Sequence, residues 1–249
     1  MQLSDYMDYV CRPEDDLCST TGFISAVRGI LKLEPMGLAT IGLPCGSFVW
    51  MNAATSKRSE SSPFGNEELP YVAAANKISA RVCLLILLLT ARQSFFMLEQ
   101  PSSSKLEHVP YFQHMMNVVS ATVKVHKVSF WMGTYGHFSC KRSLAYSNLH
   151  FIPSLAKRLS MVRRRRLGLS SDGVVTRRKV GGKTAVTGDK KLKSTQEYPQ
   201  RFCRKVFKLH MKSRDAWLRN SCMYWERESR TNRTVNLLRT EMRGSLSRR

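Results

Sequence analysis

The sequence is short of acid: 18 Asp and Glu stand against 40 Lys and Arg in 249 residues, a formal net charge of +22. So little counter-charge opposes self-association at low salt and draws phosphate backbones and acidic surfaces. Long hydrophobic runs are also missing. The most apolar, Val82 to Leu89, is far shorter than a membrane span needs, so it is expected as a buried helix segment, and no membrane partner is implied. Met1 to Val10 carries acids and no apolar core, which excludes a secretory signal. The seven cysteines, Cys11, Cys18, Cys45, Cys83, Cys140, Cys203 and Cys222, include no Cys-x-x-Cys pair. An odd count without such pairs points to a reduced, intracellular setting. No internal repeat is present. Pro and Gly are too sparse to make the C-terminal third disordered as a whole.

What is there suits one well-filled core, since 43% of the residues are hydrophobic. Thr20 and Thr21 offer N-caps, and Phe23, Ala26, Val27, Ile30 and Leu31 follow at helical spacing. Pro35 and Gly37 end that helix. Leu38 to Leu43 reads as a buried strand that delivers Pro44 and Cys45 to its C-terminal end. Residues 46–65 read as a loop. Asn66 with Glu67 and Glu68 predicts the start of a long helix through Arg92. Phe95 to Leu98 is a second strand, ending in Glu99-Gln100-Pro101. Tyr111 to Ser120 is predicted helical, and Val123 to Trp131 and Leu144 to Tyr146 are the third and fourth strands. Strands alternating with helices predict parallel pairing in a layered α/β fold, with functional groups at the C-terminal strand ends.

Composition shifts near Lys157, dividing an α/β domain over 1–156 from a basic segment over 157–249. In the second stand Arg163, Arg164, Arg165 and Arg166, then Arg177, Arg178 and Lys179, then Lys190, Lys191 and Lys193. A solvated face is the ordinary fate of such runs, but the whole third shares the bias. The expected roles are phosphate contact with nucleic acid, DNA or RNA, or nuclear import. A helix is expected around Arg201 to Leu218, followed by a frayed end. Trp131, Tyr135 and Trp217 can stack on bases, although core packing is the commoner job. Gly181-Gly182-Lys183-Thr184 ends like a phosphate-binding loop, but Arg177 stands where the earlier glycine is required, so the match fails. His126, His137, Cys140 and His150 fit no zinc spacing, and no metal site is expected.

Three islands carry candidate chemistry: Gly42-Leu43-Pro44-Cys45-Gly46-Ser47-Phe48, Phe96-Met97-Leu98-Glu99-Gln100-Pro101, and Tyr135-Gly136-His137-Phe138-Ser139-Cys140-Lys141-Arg142. Together they resemble the catalytic half of the cytosine-C5 methyltransferases. They resemble more closely still a group of algal, dinoflagellate-type proteins related to that fold, which share the Pro-Cys-Gly-Ser strand end, the Glu-Gln-Pro-x-Ser-Ser turn and the Trp-Met-Gly-x-Tyr-Gly segment. Pro44-Cys45 matches the motif whose thiolate attacks C6 of a flipped cytosine. Glu99 matches the glutamate that bonds the ring near N3. Tyr135-Gly136 matches the start of a Tyr-Gly-x-Pro-Gln-x-Arg-x-Arg segment, in which Phe138, Ser139, Lys141 and Ser143 replace the Pro, the Gln and the two Arg. Ser194-Thr195-Gln196-Glu197-Tyr198-Pro199 faintly resembles the family's Leu-Gln-Gly-Phe-Pro helix end.

The resemblance implies a Rossmann-like methyltransferase three-layer sandwich with S-adenosylmethionine as cofactor. Cys45 would be the nucleophile, Glu99 the ring-nitrogen partner, Lys141 or Arg142 a support, and Asp16 the contact to the donor. The cysteine is expected as a thiolate, held by helix N-termini and basic groups. The family's Phe-x-Gly-x-Gly-Gly donor loop does not precede Cys45, so the chain is expected to begin in mid-fold. Two functions follow: a methyltransferase-like protein on nucleic acid, or a non-catalytic basic binding module that kept the scaffold. A gene fragment with no independent role is the third reading. Plainer readings remain. Cys45 is then a small buried hydrophobe, Glu99 pairs with a lysine such as Lys105, and Asn76 and Arg81 pack the long helix rather than serve the site.

Overall fold

The computed structural model describes residues 15–169, 175–180, 183–188 and 196–219. Its centre is a four-stranded mixed sheet with helices on both faces, built in the order β1 (Leu38–Gly42), β2 (Phe95–Pro101), β4 (Arg142–Ser147), β3 (His126–Trp131). β1 and β2 are parallel, with Gly42 opposite Glu99. β2 with β4 and β4 with β3 are antiparallel, Glu99 facing Ala145 and Phe130 facing Ser143. The expectation of parallel pairing therefore holds for one strand pair and is corrected for two. The cause is the connection. Between β1 and β2 lies a long helix, whereas Trp131 and Arg142 are joined by a segment whose only helical turn is the 3₁₀ stretch Met132–Tyr135. A link without a crossover helix returns the chain antiparallel.

α1 (Thr20–Lys32) starts one residue earlier than its threonines predict: Ser19 is the cap, its Oγ accepting from Gly22 N at 2.9 Å. A short helix, α2 (Ala53–Ser56), interrupts the predicted 46–65 loop. α3 (Pro70–Ala91) begins four residues after Asn66, because Asn66 Oδ1 accepts from Glu68 N in a local turn and Pro70 takes the first helical position. By length and composition α3 would cross a membrane, and half of its most apolar stretch is buried inside the protein. α4 (Pro110–Thr122) packs beside it.

Strand alternation sets the two cores. Phe96 and Leu98 face α3 and α4, joining Val82, Ile86, Leu89, Phe112 and Met115. Phe95 and Met97 point the other way, into a cluster with Phe130, Leu149 and Ile152. Each fully buried side chain of this size contributes about 1.5–3 kcal/mol. Residues 200–219 form a further helix, and Phe202, Val206 and Leu209 complete that second cluster. Phe202 stacks on Phe130 with ring centroids 5.3 Å apart. His210 Nε2 donates to the Met36 carbonyl at 2.8 Å, just ahead of β1. The helix expected around Arg201 to Leu218 is thus an integral layer of the α/β unit, despite its place in the basic segment.

Between these parts lie a short helix, α5 (Met161–Arg166), and a two-stranded antiparallel hairpin, β5 (Val175–Val180) with β6 (Lys183–Gly188). Numbered in chain order, helix 200–219 is α6. Gly181, Gly182, Lys190, Lys191, Lys193, Ser194, Thr195, Cys11, Cys222 and the expected frayed end lie outside the described residues.

Candidate functional site

β1 ends at Gly42, and the chain then turns over the end of the sheet. Gln100 fastens that turn: its Nε2 donates to the Leu43 carbonyl at 3.1 Å, and its Oε1 accepts from Ser104 Oγ at 3.0 Å. The Cys45 carbonyl accepts from the amides of Phe48 and Val49 at 2.9 and 3.1 Å, which curls the Pro44–Phe48 segment back. Beneath it is Arg58, only 3% exposed. Its Nη2 donates to Ser47 Oγ at 3.0 Å, its Nη1 to the Pro63 carbonyl at 2.6 Å, and its guanidinium lies 4.0 Å above the Phe48 ring. Burial holds this guanidinium below the usual arginine range.

Glu99 alternates onto the same face of β2 as Phe95 and Met97, the face that α6 covers. It is 4% exposed. Tyr198, on the segment leading into α6, donates its hydroxyl to Glu99 Oε2 at 2.9 Å. Lys141 Nζ stands 3.5 Å from Oε1 and 5.9 Å above the Tyr198 ring. Gly42 makes room for this: a Cβ there would come within 2.7 Å of the Tyr198 hydroxyl oxygen. Burial first, then Glu99, pushes the Tyr198 phenol far above its ordinary value, so it remains a donor. Sequence reading named Tyr198 only within a faint helix-end likeness. Its role depends on a contact across 99 positions of chain, which no local pattern signals.

Cys45 shares this pocket. Burial pushes its thiol up, the nearby Lys141 pulls it down, and Glu99 pushes it up again. Burial is the largest of these influences and lifts the thiol above its ordinary range, against the pull of the single lysine. Cys83, whose thiol is pushed up to about 12 by burial alone, is a packing residue of the first core. The same balance predicts how Cys45 reacts. Alkylation by iodoacetamide, followed at Cys45 by peptide mass spectrometry across pH, is expected to slow in Lys141→Met and to quicken in Glu99→Gln. Equal rates in all three proteins would mean that the two charges do not reach the sulfur.

Of the proposed supports, Lys141 is in the pocket and Arg142 is not. Arg142 is exposed; its Nε donates to Ser129 Oγ at 2.9 Å and its guanidinium sits over Trp131. Lys105 pairs with Glu60 at 2.9 Å, so it is not the partner of Glu99. Asn76 donates to the Phe64 carbonyl and to Glu67 Oε1, and Arg81 donates to the carbonyls of Leu17 and Ser19, packing roles for both. Tyr135 is buried, edge-on to Phe202. Trp217 is 39% exposed near the end of α6. Arg163, Arg164, Arg165 and Arg166 form most of α5, capped by Ser160. Arg177, Arg178 and Lys179 lie on β5, Lys179 exposed. Among the described residues no cluster of His, Cys, Asp or Glu is arranged to hold a metal.

Asp16 closes a local turn ahead of α1. Its Oδ1 accepts from Cys18 N at 2.8 Å, and its carbonyl accepts from Ser19 N and Ser19 Oγ at 2.9 Å each. A Cβ on Gly22 would meet that carbonyl oxygen at 2.2 Å, so helix α1 is packed against the turn. The carboxylate itself is exposed, at a turn just ahead of α1. Comparisons of the chain with protein families, with curated proteins and with solved structures give no match.

Proposed function

We propose that this chain is a nucleic-acid-binding protein on a cytosine-C5-methyltransferase-like scaffold, with its Cys45–Glu99 pocket closed and not catalytic on its own. The carrying observation is the convergence of Cys45, Glu99 and Lys141 at neighbouring strand ends with the Tyr198 hydroxyl seated on the glutamate. The convergence supports the scaffold half of the reading. So does the parallel β1–β2 pair, which sets Gly42, at the start of the Cys45 turn, opposite Glu99. Tyr198 supports the other half. A base partner that engaged both carboxyl oxygens would have to displace the phenol from Oε2 and share Oε1 with Lys141. The burial that raises the Cys45 thiol agrees with it. The net charge of +22 supplies the attraction to phosphate.

The enzyme reading is favoured by one observation, the Cys45–Lys141–Glu99 grouping itself, and requires Tyr198 to leave. The same protein decides between them. Calorimetry with S-adenosylmethionine is expected to give no binding heat. A 5-fluorocytosine DNA duplex incubated with the cofactor is expected to give no adduct that Cys45→Ser abolishes. Anisotropy with labelled DNA or RNA is expected to show binding that weakens steeply with salt. A Cys45-dependent adduct would restore the enzyme. Failure to bind either nucleic acid at low salt would remove the proposal altogether.

A further inference from the structure

Helix 200–219 buries one side and leaves another strongly charged. Phe202, Val206, Leu209, His210 and Ser213 are buried. About 100° of rotation per residue places Lys205, Lys208 and Lys212 within about 60° of one another, on a flank turned away from that buried side, with Arg201 one turn ahead of them. Lys208 and Lys212 are exposed, and Lys205 is half-buried at the edge of the core. Lys157 approaches from outside the helix. Its Nζ lies 4.8 Å above the Tyr135 ring, and Tyr135 is edge-on to Phe202 in the first turn of α6. Arg201 continues the row to the Tyr135–Gly136 turn, its Cδ 3.5 Å from where a Cβ on Gly136 would sit.

No carboxylate lies within salt-bridge distance of Lys157, Lys205, Lys208 or Lys212 among the described residues. Burial, and then the charges of Lys157, Lys212 and Lys208, hold the Lys205 ammonium below the usual lysine range. Lys157, Lys208 and Lys212 are thus each near enough to Lys205 to repel it. A charge run on a solvated face normally spreads its cations or interleaves acids. This one does neither until Asp215.

We propose that Lys157, Lys205, Lys208 and Lys212 form a track for the phosphate backbone of nucleic acid. This rests on the binding function proposed above and names its surface, which the sequence runs at Arg163–Arg166 and Arg177–Lys179 did not identify. Lys205 to Lys212 spans about 10 Å of helix, a length over which one strand of B-DNA carries about three phosphates. Contacts of this kind read charge rather than sequence.

The test compares three full-length proteins: wild type, a variant with Lys157, Lys205, Lys208 and Lys212 changed to Gln, and a charge-matched variant with Arg163, Arg164, Arg165 and Arg166 changed to Gln. Circular dichroism checks that each is folded. The probes are a short DNA duplex and a single-stranded RNA of equal phosphate count, titrated by anisotropy at several salt concentrations. The lysine variant is expected to lose roughly tenfold or more in affinity at low salt, with the slope of log K against log salt shallower by about 3. The arginine variant is expected to lose less on both measures. If the arginine variant loses more, or the lysine variant keeps the wild-type slope on both probes, the track is wrong while nucleic-acid binding stands. If wild type binds neither probe, the binding function fails first, and the track with it. A loss by the lysine variant on only one probe would still place the track and would identify which nucleic acid it takes.

Discussion

Replacing Glu99 by alanine is expected to destabilise the protein by about 3–5 kcal/mol, the cost of removing one partner from a buried ion pair. The side chain is 4% exposed and contacts both the Tyr198 hydroxyl and the Lys141 ammonium. Tyr198 would keep a phenol with no acceptor, and Lys141, whose side chain is 18% exposed, would lose the carboxylate 3.5 Å away. A buried hydroxyl left unmet costs more in this pocket than the original hydrogen bond gained in forming. A domain with about 5–15 kcal/mol of total stability would lose a large share of it.

Three further proteins make the result specific. Glu99→Gln keeps an acceptor for Tyr198 and loses only the charge, so about half of the effect is expected. Adding Tyr198→Phe to Glu99→Ala removes the orphaned hydroxyl and is expected to recover stability, giving a coupling energy on the order of 1–2 kcal/mol in the double-mutant cycle. Arg142→Ala, at an exposed position bonded to Ser129, is expected to change stability by less than about 0.5 kcal/mol. Urea midpoints with unchanged slopes are the measurement. Glu99→Ala unfolding within about 0.5 kcal/mol of wild type would mean that Tyr198 does not hold the pocket shut in solution.

Much of this pocket was legible in the sequence, because strand ends are local features. The apolar run to Gly42 and the run to Leu98 announced themselves, and parallel neighbours bring their ends together, so Cys45 and Glu99 could be placed near each other before any coordinates. The choice between Lys141 and Arg142 could not be made that way. It depends on where β4 begins and on the register that sets Arg142 opposite Trp131. The direction of β4 was missed for a related reason: the period of hydrophobicity fixes which residues are buried and says nothing of which way a strand runs. Tyr198 was harder still. Its partner is 99 positions away, and it reaches Glu99 only because Phe202, Val206 and Leu209 dock α6 on the second core. The basic composition of the last third masked that docking, since the apolar residues of α6 are few and spaced among lysines. A helix can be both a core element and a charged surface when its two sides diverge, as they do at Phe202 and Lys208.

Arg58 gives the second large effect, and nothing in its serine-rich surroundings marks it. Arg58→Ala is expected to cost about 3–5 kcal/mol, in the range of breaking a buried hydrogen-bond network. The guanidinium bonds the Pro63 carbonyl, the Val72 carbonyl at 3.4 Å and Ser47 Oγ, and it covers the face of Phe48, which is fully buried. Alanine would leave the Pro63 carbonyl and Ser47 Oγ without this donor and open a void beside an aromatic ring. Arg58→Lys keeps the charge but has one ammonium where the arginine presents a planar fork, so it is expected to recover less than half of the loss. The functional consequence is local. Ser47 and Phe48 are the anchor of the Cys45 turn, so their release should loosen that turn before the sheet unfolds. Amide hydrogen exchange is expected to rise first at residues 44–49 in Arg58→Lys, with β2 and α3 still protected. Exchange rising equally everywhere would assign Arg58 to global stability and remove it from the support of the cysteine.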